Sequence, residues 1–147
     1  LDDEWTEIAD DGFVGLAGPF YYKETDQGLV FQFPAREKHR NRNGRLQGGA
    51  LLTFADRALG TAARAAIDAS STVTVQLNIQ FVAGVSIGEN VEVAPTVVRA
   101  TRSLVFMEGT FMVGDRRVAA ISGIWKRIAE VPRATGAVSG SGNARFT

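Results

Sequence analysis

Hydrophobic and polar positions alternate with period two over residues 72–82 (TVTVQLNIQFV), the pattern of a strand with one buried face. Residues 89–101 and 104–113 continue in the same style, and Asp115-Arg116 is expected to turn the chain into a last strand over 118–126. Pro95 has no N–H to donate and points to an edge position or a bulge in the second of these. Upstream, residues 20–23 and 29–33 read as two strands joined at Asp26-Gln27-Gly28. Between the two groups the period changes. Gly48 to about Ile67 is rich in Ala and Leu, free of Pro, and predicts one long helix. The acidic start, with Trp5 and Ile8, suggests a short amphipathic helix, and the Gly- and Ser-rich residues 128–147 read as a mobile tail. Consecutive strands with short connections form an antiparallel meander. The expected fold class is therefore α+β with a single central helix, in one domain over residues 1–127.

Composition narrows the chemistry. The 147 residues suffice for one domain with a sizeable core. There is no Cys, which removes disulfides, thiolate nucleophiles and Cys-held zinc. The single His, His39, leaves little room for a His-rich metal site or a Ser–His–Asp triad. Sixteen basic and sixteen acidic residues cancel, which argues against nucleic acid as a partner. No apolar run approaches the roughly 18 residues that cross a bilayer, and no secretory-type leader is visible. A soluble, cytoplasmic domain is the expectation, with chemistry drawn from carboxylates, amides, hydroxyls or the backbone. Charge is nonetheless uneven. Residues 1–11 carry Asp2, Asp3, Glu4, Glu7, Asp10 and Asp11 without a base, and residues 36–45 carry Arg36, Lys38, Arg40, Arg42 and Arg45 against Glu37 alone. Both read as solvated segments, or the basic one attracts a phosphate-bearing ligand.

On a helical wheel Gly49, Leu52, Thr53, Leu59, Gly60 and Ala63 fall within about 60° of Asp56. Arg57, Thr61, Arg64 and Asp68 form a separate polar stripe. Asp56 thus sits off the solvated stripe among small and apolar neighbours, where an ionised carboxylate is costly unless paired. Taken alone, it fits a structural acid as well as a catalytic one. Gln47-Gly48-Gly49 opens the same helix. Two glycines there let a ligand approach free N–H groups that favour a negatively charged oxygen, although they also fit a plain helix start.

Together these residues resemble a family. Residues 39–56 (HRNRNGRLQGGALLTFAD) are similar to the signature of hotdog-fold acyl-CoA thioesterases of the phenylacetate-pathway (PaaI-like) type. That signature reads H-x-N, then G-x-x-H-G-G, then an acid seven residues after the second Gly. The strand and meander that follow also fit, so the likeness spans about residues 13–127. It implies a long helix wrapped by an antiparallel sheet, and roles for four residues. Asn41 orients water or the thioester, and the Gly48 N–H polarises the thioester carbonyl. Asp56 is the catalytic carboxylate, as general base or nucleophile, and the Thr74 hydroxyl assists it. Gln47 stands where the family has His; it keeps hydrogen-bonding capacity but cannot take up a proton. Ala83-Gly84-Val85 replaces a Pro-containing turn. Gln47, Gly49, Arg99, Arg102 and Ser103 become candidates for holding the substrate, the last three near the phosphates of CoA.

The implied reaction needs no metal and no cofactor beyond the CoA of its substrate. Two rivals remain, a hotdog hydratase with His39 as base and a non-catalytic acyl-CoA-binding module. Asp56 lies eight residues beyond Gly48, about 12 Å along one helix, too far for both to meet one thioester carbon. A site shared between two chains is expected, in a homodimer or a dimer of dimers.

Overall fold

The computed structural model describes residues 4–129. Its core is the helix that the Ala- and Leu-rich stretch predicts, α2 (Gly48–Ala66), with Gln47 as N-cap. Around it runs one eight-stranded antiparallel sheet: β1 (Thr6–Glu7), β2 (Tyr21–Thr25), β3 (Gly28–Pro34), β4 (Thr72–Phe81), β5 (Asn90–Val93), β6 (Thr96–Ala100), β7 (Leu104–Val113) and β8 (Arg116–Arg127). The spatial order is β1-β2-β3-β5-β7-β8-β4, with β6 beside β7. The central helix and antiparallel sheet are those the sequence implies.

Packing explains why the helix is so rich in small residues. Leu51, Phe54, Ala55, Ala58, Leu59, Gly60 and Ala63 are the buried positions of α2. Phe54 stands at the centre of an aromatic cluster, with ring centroids 5.2 Å from Phe20, 5.4 Å from Phe33 and 5.1 Å from Phe111. At Gly60 the helix runs close to the sheet, where a Cβ would lie 2.9 Å from Nε1 of Trp125. The sheet makes the matching concession at Gly123. A Cβ there would stand 2.6 Å from the Trp125 ring and 2.8 Å from the Gln76 carbonyl oxygen. Gly123→Ala is therefore expected to cost about 1–3 kcal/mol by overpacking, read as a lowered midpoint in denaturant with the slope unchanged.

Three departures from the sequence pattern have physical causes. The strand expected over 89–101 is two strands, because Ala94 and Pro95 leave the ladder and β6 then pairs with β7 alone, with a register shift between Val97 and Arg99. The last strand starts earlier, at Arg116. Over its described residues the acidic start is not a helix: residues 6–7 form β1 against β2, and a five-residue helix, α1 (Phe13–Ala17), follows the acids instead. Asp10 Oδ1 accepts from the Gly12 N–H at 2.7 Å, an Asx-type turn just ahead of α1. Nor are Asp10 and Arg57 solvated. Asp10 Oδ2 lies 3.3 Å from Arg57 Nη1, with side chains 2% and 12% exposed, so the segment before α1 covers part of the polar stripe of α2. Residues 130–147, where most of the expected tail falls, lie outside the described residues.

β4 ends the sheet. Among the described residues its second edge has no partner, and Val75, Phe81 and Val82 on or beside it are 56–58% exposed. A ten-residue edge strand with exposed apolar side chains is a ready template for another chain.

Candidate active site

The sequence candidates separate into two groups in space. One is a carboxylate–hydroxyl pair, Asp56 halfway along α2 and Thr74 on β4. Asp56 is half-buried, and Thr74 Oγ1 donates to its Oδ1 at 2.7 Å. The register of β4 against β8 shifts between Thr74 and Gln76, leaving Val75 outside the ladder. Such a bulge re-aims the neighbouring side chain, and here it sits beside the hydroxyl that meets Asp56.

The other group lies at the start of α2 and consists of hydrogen-bond donors. Gln47 Oε1 accepts from the Ala50 N–H at 2.9 Å, which caps the helix and leaves the amide's Nε2 as its outward end. Asn41 is built the same way. Its Oδ1 accepts from the N–H of Asn43 (2.8 Å) and of Arg45 (3.0 Å), so the oxygen holds the 41–45 turn and Nδ2 stays available. Gly48 and Gly49 occupy the first turn, where N–H groups have no carbonyl four residues back to reach. The space beside Gly48 is narrow: a Cβ there would meet the Phe81 ring at 3.1 Å, and one at Gly49 would meet Gln47 Oε1 at 2.7 Å. The helix macrodipole adds a partial positive charge at this end. The entrance is suited to receive an oxygen that gains negative charge.

His39 belongs to neither group. It is 5% exposed, and its Nδ1 accepts from the Arg36 N–H at 2.9 Å. That places the proton on Nε2, which donates to the carbonyls of Ala17 and Gly18. Both ring nitrogens are thus engaged with backbone, and the imidazole presents none to a substrate. Desolvation lowers its pKa, helped by the neighbouring Lys38 and Arg36 charges and opposed by the two carbonyls. A folded pKa below the unfolded value of about 6.5 means that the native state binds protons less readily. The resulting stabilisation is full above pH 6.5 and is lost as pH falls through the lower folded value. Thermal melts from pH 7.5 to 5 are expected to show this loss in the wild type and a flatter profile in His39→Gln.

Arg99, Arg102 and Ser103 lie elsewhere. All three are exposed at or beside the β6–β7 turn, which Arg127 ties to the far end of α2. Arg127 donates through Nε to Arg102 O (3.0 Å) and through Nη2 to Ile67 O (2.6 Å). Within one chain they do not approach the Gly48 end. The basic segment keeps all five of its cations exposed. Among the described residues no three His, Asp or Glu side chains gather as a metal-binding set, and no helix is long and apolar enough to cross a membrane.

Residues 43–120 match the sequence profile of the thioesterase superfamily. A Pseudomonas aeruginosa protein that carries an esterase name is 34% identical over 114 residues, covering 76% of this chain and 85% of that one. A variant of the phenylacetic acid degradation protein PaaI from Thermus thermophilus superposes with a TM-score of 0.70 at 20% identity, over 80% of this chain and all of that one. A hypothetical thioesterase of Streptococcus pneumoniae, solved with coenzyme A, superposes with a TM-score of 0.66 at 17% identity, over 73% and 84% of the two chains.

Proposed function

The chain belongs to the thioesterase superfamily, as a PaaI-like protein of hotdog fold, and from that premise we propose that it hydrolyses acyl-CoA thioesters to the free acid and CoA. The observation that carries this reading is the division of the candidates into a donor-only helix entrance and a separate carboxylate–hydroxyl pair. Hydrolysis needs both parts. The thioester oxygen lies against the Gly48 N–H, with the amides of Asn41 and Gln47 as further donors, and its developing charge is stabilised there. Asp56, oriented by Thr74, either takes a proton from the attacking water or attacks the carbonyl carbon itself, forming an anhydride that water then opens. The CoA thiolate leaves and is protonated.

One chain holds the two parts about 12 Å apart, eight residues at 1.5 Å each. The working site therefore combines the entrance of one chain with Asp56 and Thr74 of a second, in a homodimer that can pair again. The open edge of β4 and the exposed Leu52, on the same side of α2 as Asp56, are surfaces for such a partner. Antiparallel pairing of the helices also brings the Arg99–Arg102–Ser103 region of one chain toward the basic 36–45 segment of the other, a fitting surround for the phosphates of CoA. The CoA seen with the Streptococcus pneumoniae protein supports a ligand of this class.

A panel of short, long and aromatic acyl-CoAs, followed by release of free thiol, tests the reading. Turnover of at least one is expected. Stable binding of the panel without thiol release would instead make the protein a binding module. Hydration of an enoyl thioester is not expected, because His39 has no free nitrogen to serve as base.

A further inference from the structure

A cleft of about 360 Å³ lies beside the helix entrance, walled by α1, the turn Glu37–His39 and the first turns of α2. Two of its side chains are unusual. Phe13 and Leu16, one turn apart on α1, are 70% and 75% exposed, although α1 itself is firmly placed. Lys38 Nζ holds the Leu16 carbonyl at 2.9 Å, His39 holds that of Ala17, and the Asp10–Arg57 pair anchors the segment before it. A rigid five-residue helix that presents two large apolar side chains to a cleft calls for an apolar occupant.

The polar residues of the cleft narrow the choice. Lys38 spends one of its three N–H groups on Leu16 O, and both ring nitrogens of His39 are engaged with backbone. Arg40 Nε is paired with Glu37 at 2.7 Å, and Thr53 Oγ1 donates to Gly49 O at 2.9 Å. Lys38 and Arg40 keep further N–H groups, but both are exposed cations free to turn to solvent; the donors fixed in place are at one end, where Gln47 and Gly49 line the cleft. The occupant is thus apolar along its body and carries a hydrogen-bond acceptor at one end. An acyl group with its carbonyl at the helix entrance has this form.

We propose that the cleft between α1 and α2 holds the acyl group of the thioester, that the substrate class is an apolar acyl group larger than acetyl, and that Phe13 and Leu16 set its size. This rests on the thioesterase reading above, and the test separates the two. Because the chain has no Cys, Leu16→Cys introduces a single reporter thiol at an exposed position. In an Asp56→Asn background, alkylation of that thiol by a maleimide is timed with acetyl-CoA, octanoyl-CoA or benzoyl-CoA present. At a concentration of about ten Kd, octanoyl-CoA or benzoyl-CoA is expected to slow alkylation roughly tenfold, and acetyl-CoA far less. Equal rates with all three ligands would overturn the proposal. So would a thiol that resists alkylation before any ligand is added, since a second copy of the chain would then cover α1. As a second measurement, Leu16→Trp narrows the cleft and is expected to lower the ratio of octanoyl to acetyl kcat/KM about tenfold or more; an unchanged ratio counts against the proposal. Alkylation is read without turnover. Protection by octanoyl-CoA in a protein whose wild type releases no thiol would therefore keep the cleft and reject the enzyme, and turnover without protection would do the reverse.

Discussion

Asp56→Asn is expected to lower thiol release by about 10²–10⁴-fold, the range that loss of a positioned acid–base group produces. The replacement keeps the shape of the side chain and an Oδ1 that accepts from Thr74 Oγ1, so the bond seen at 2.7 Å can persist. It removes the charge that a base or nucleophile needs. Since Asp56 is only half-buried and its contact with Thr74 is retained, the thermal midpoint should change little. Steady-state thiol release measured beside a melting curve separates lost chemistry from lost fold. Residual activity within about threefold of wild type, well under 1 kcal/mol in the barrier, would remove Asp56 from the reaction.

Mixing two inactive chains is expected to restore about a quarter of the sites. Asn41→Ala disables the donor entrance and Asp56→Asn disables the carboxylate. Co-expressed in equal amounts and paired at random, half the dimers are mixed, and each mixed dimer holds one composite site with both parts intact. Sites built within one chain would recover nothing. The expectation follows from the length of α2, because a straight helix holds Gly48 and Asp56 about 12 Å apart whatever their side chains do. A monomer with full activity would reject the shared site as directly as a failed recovery.

How much of this was legible in advance differs from element to element. The long helix and the strands around β4, β7 and β8 could be read because their periodicity is strong: 3.6 for a helix packed on a sheet, 2 for strands with one buried face. The N-terminal segment could not. Its run of acids looks solvated, yet Asp10 is 2% exposed, paired with an arginine 47 residues away. No local pattern announces such a pairing. The same holds for Phe13 and Leu16, which stay exposed beside a cleft.

The sequence by itself determined the fold class, through hydrophobic periodicity, and the identity of the candidate residues, through the likeness of residues 39–56 to a family signature. It also limited the chemistry, since a chain without Cys and with one His must rely on carboxylates, amides and backbone. Only the tertiary structure decided what those groups have left to offer. It tied the oxygens of Asn41 and Gln47 to backbone N–H groups, leaving donors, and consumed both nitrogens of His39. It also brought Thr74, 18 residues on, to 2.7 Å from Asp56. The physical reason is common to all of these. Residue type sets which protons and lone pairs exist, but which of them face a substrate depends on the partners that the folded chain supplies, from two to four residues away for Asn41, Gln47 and His39 Nδ1 to 18 and 22 residues away for Thr74 and His39 Nε2.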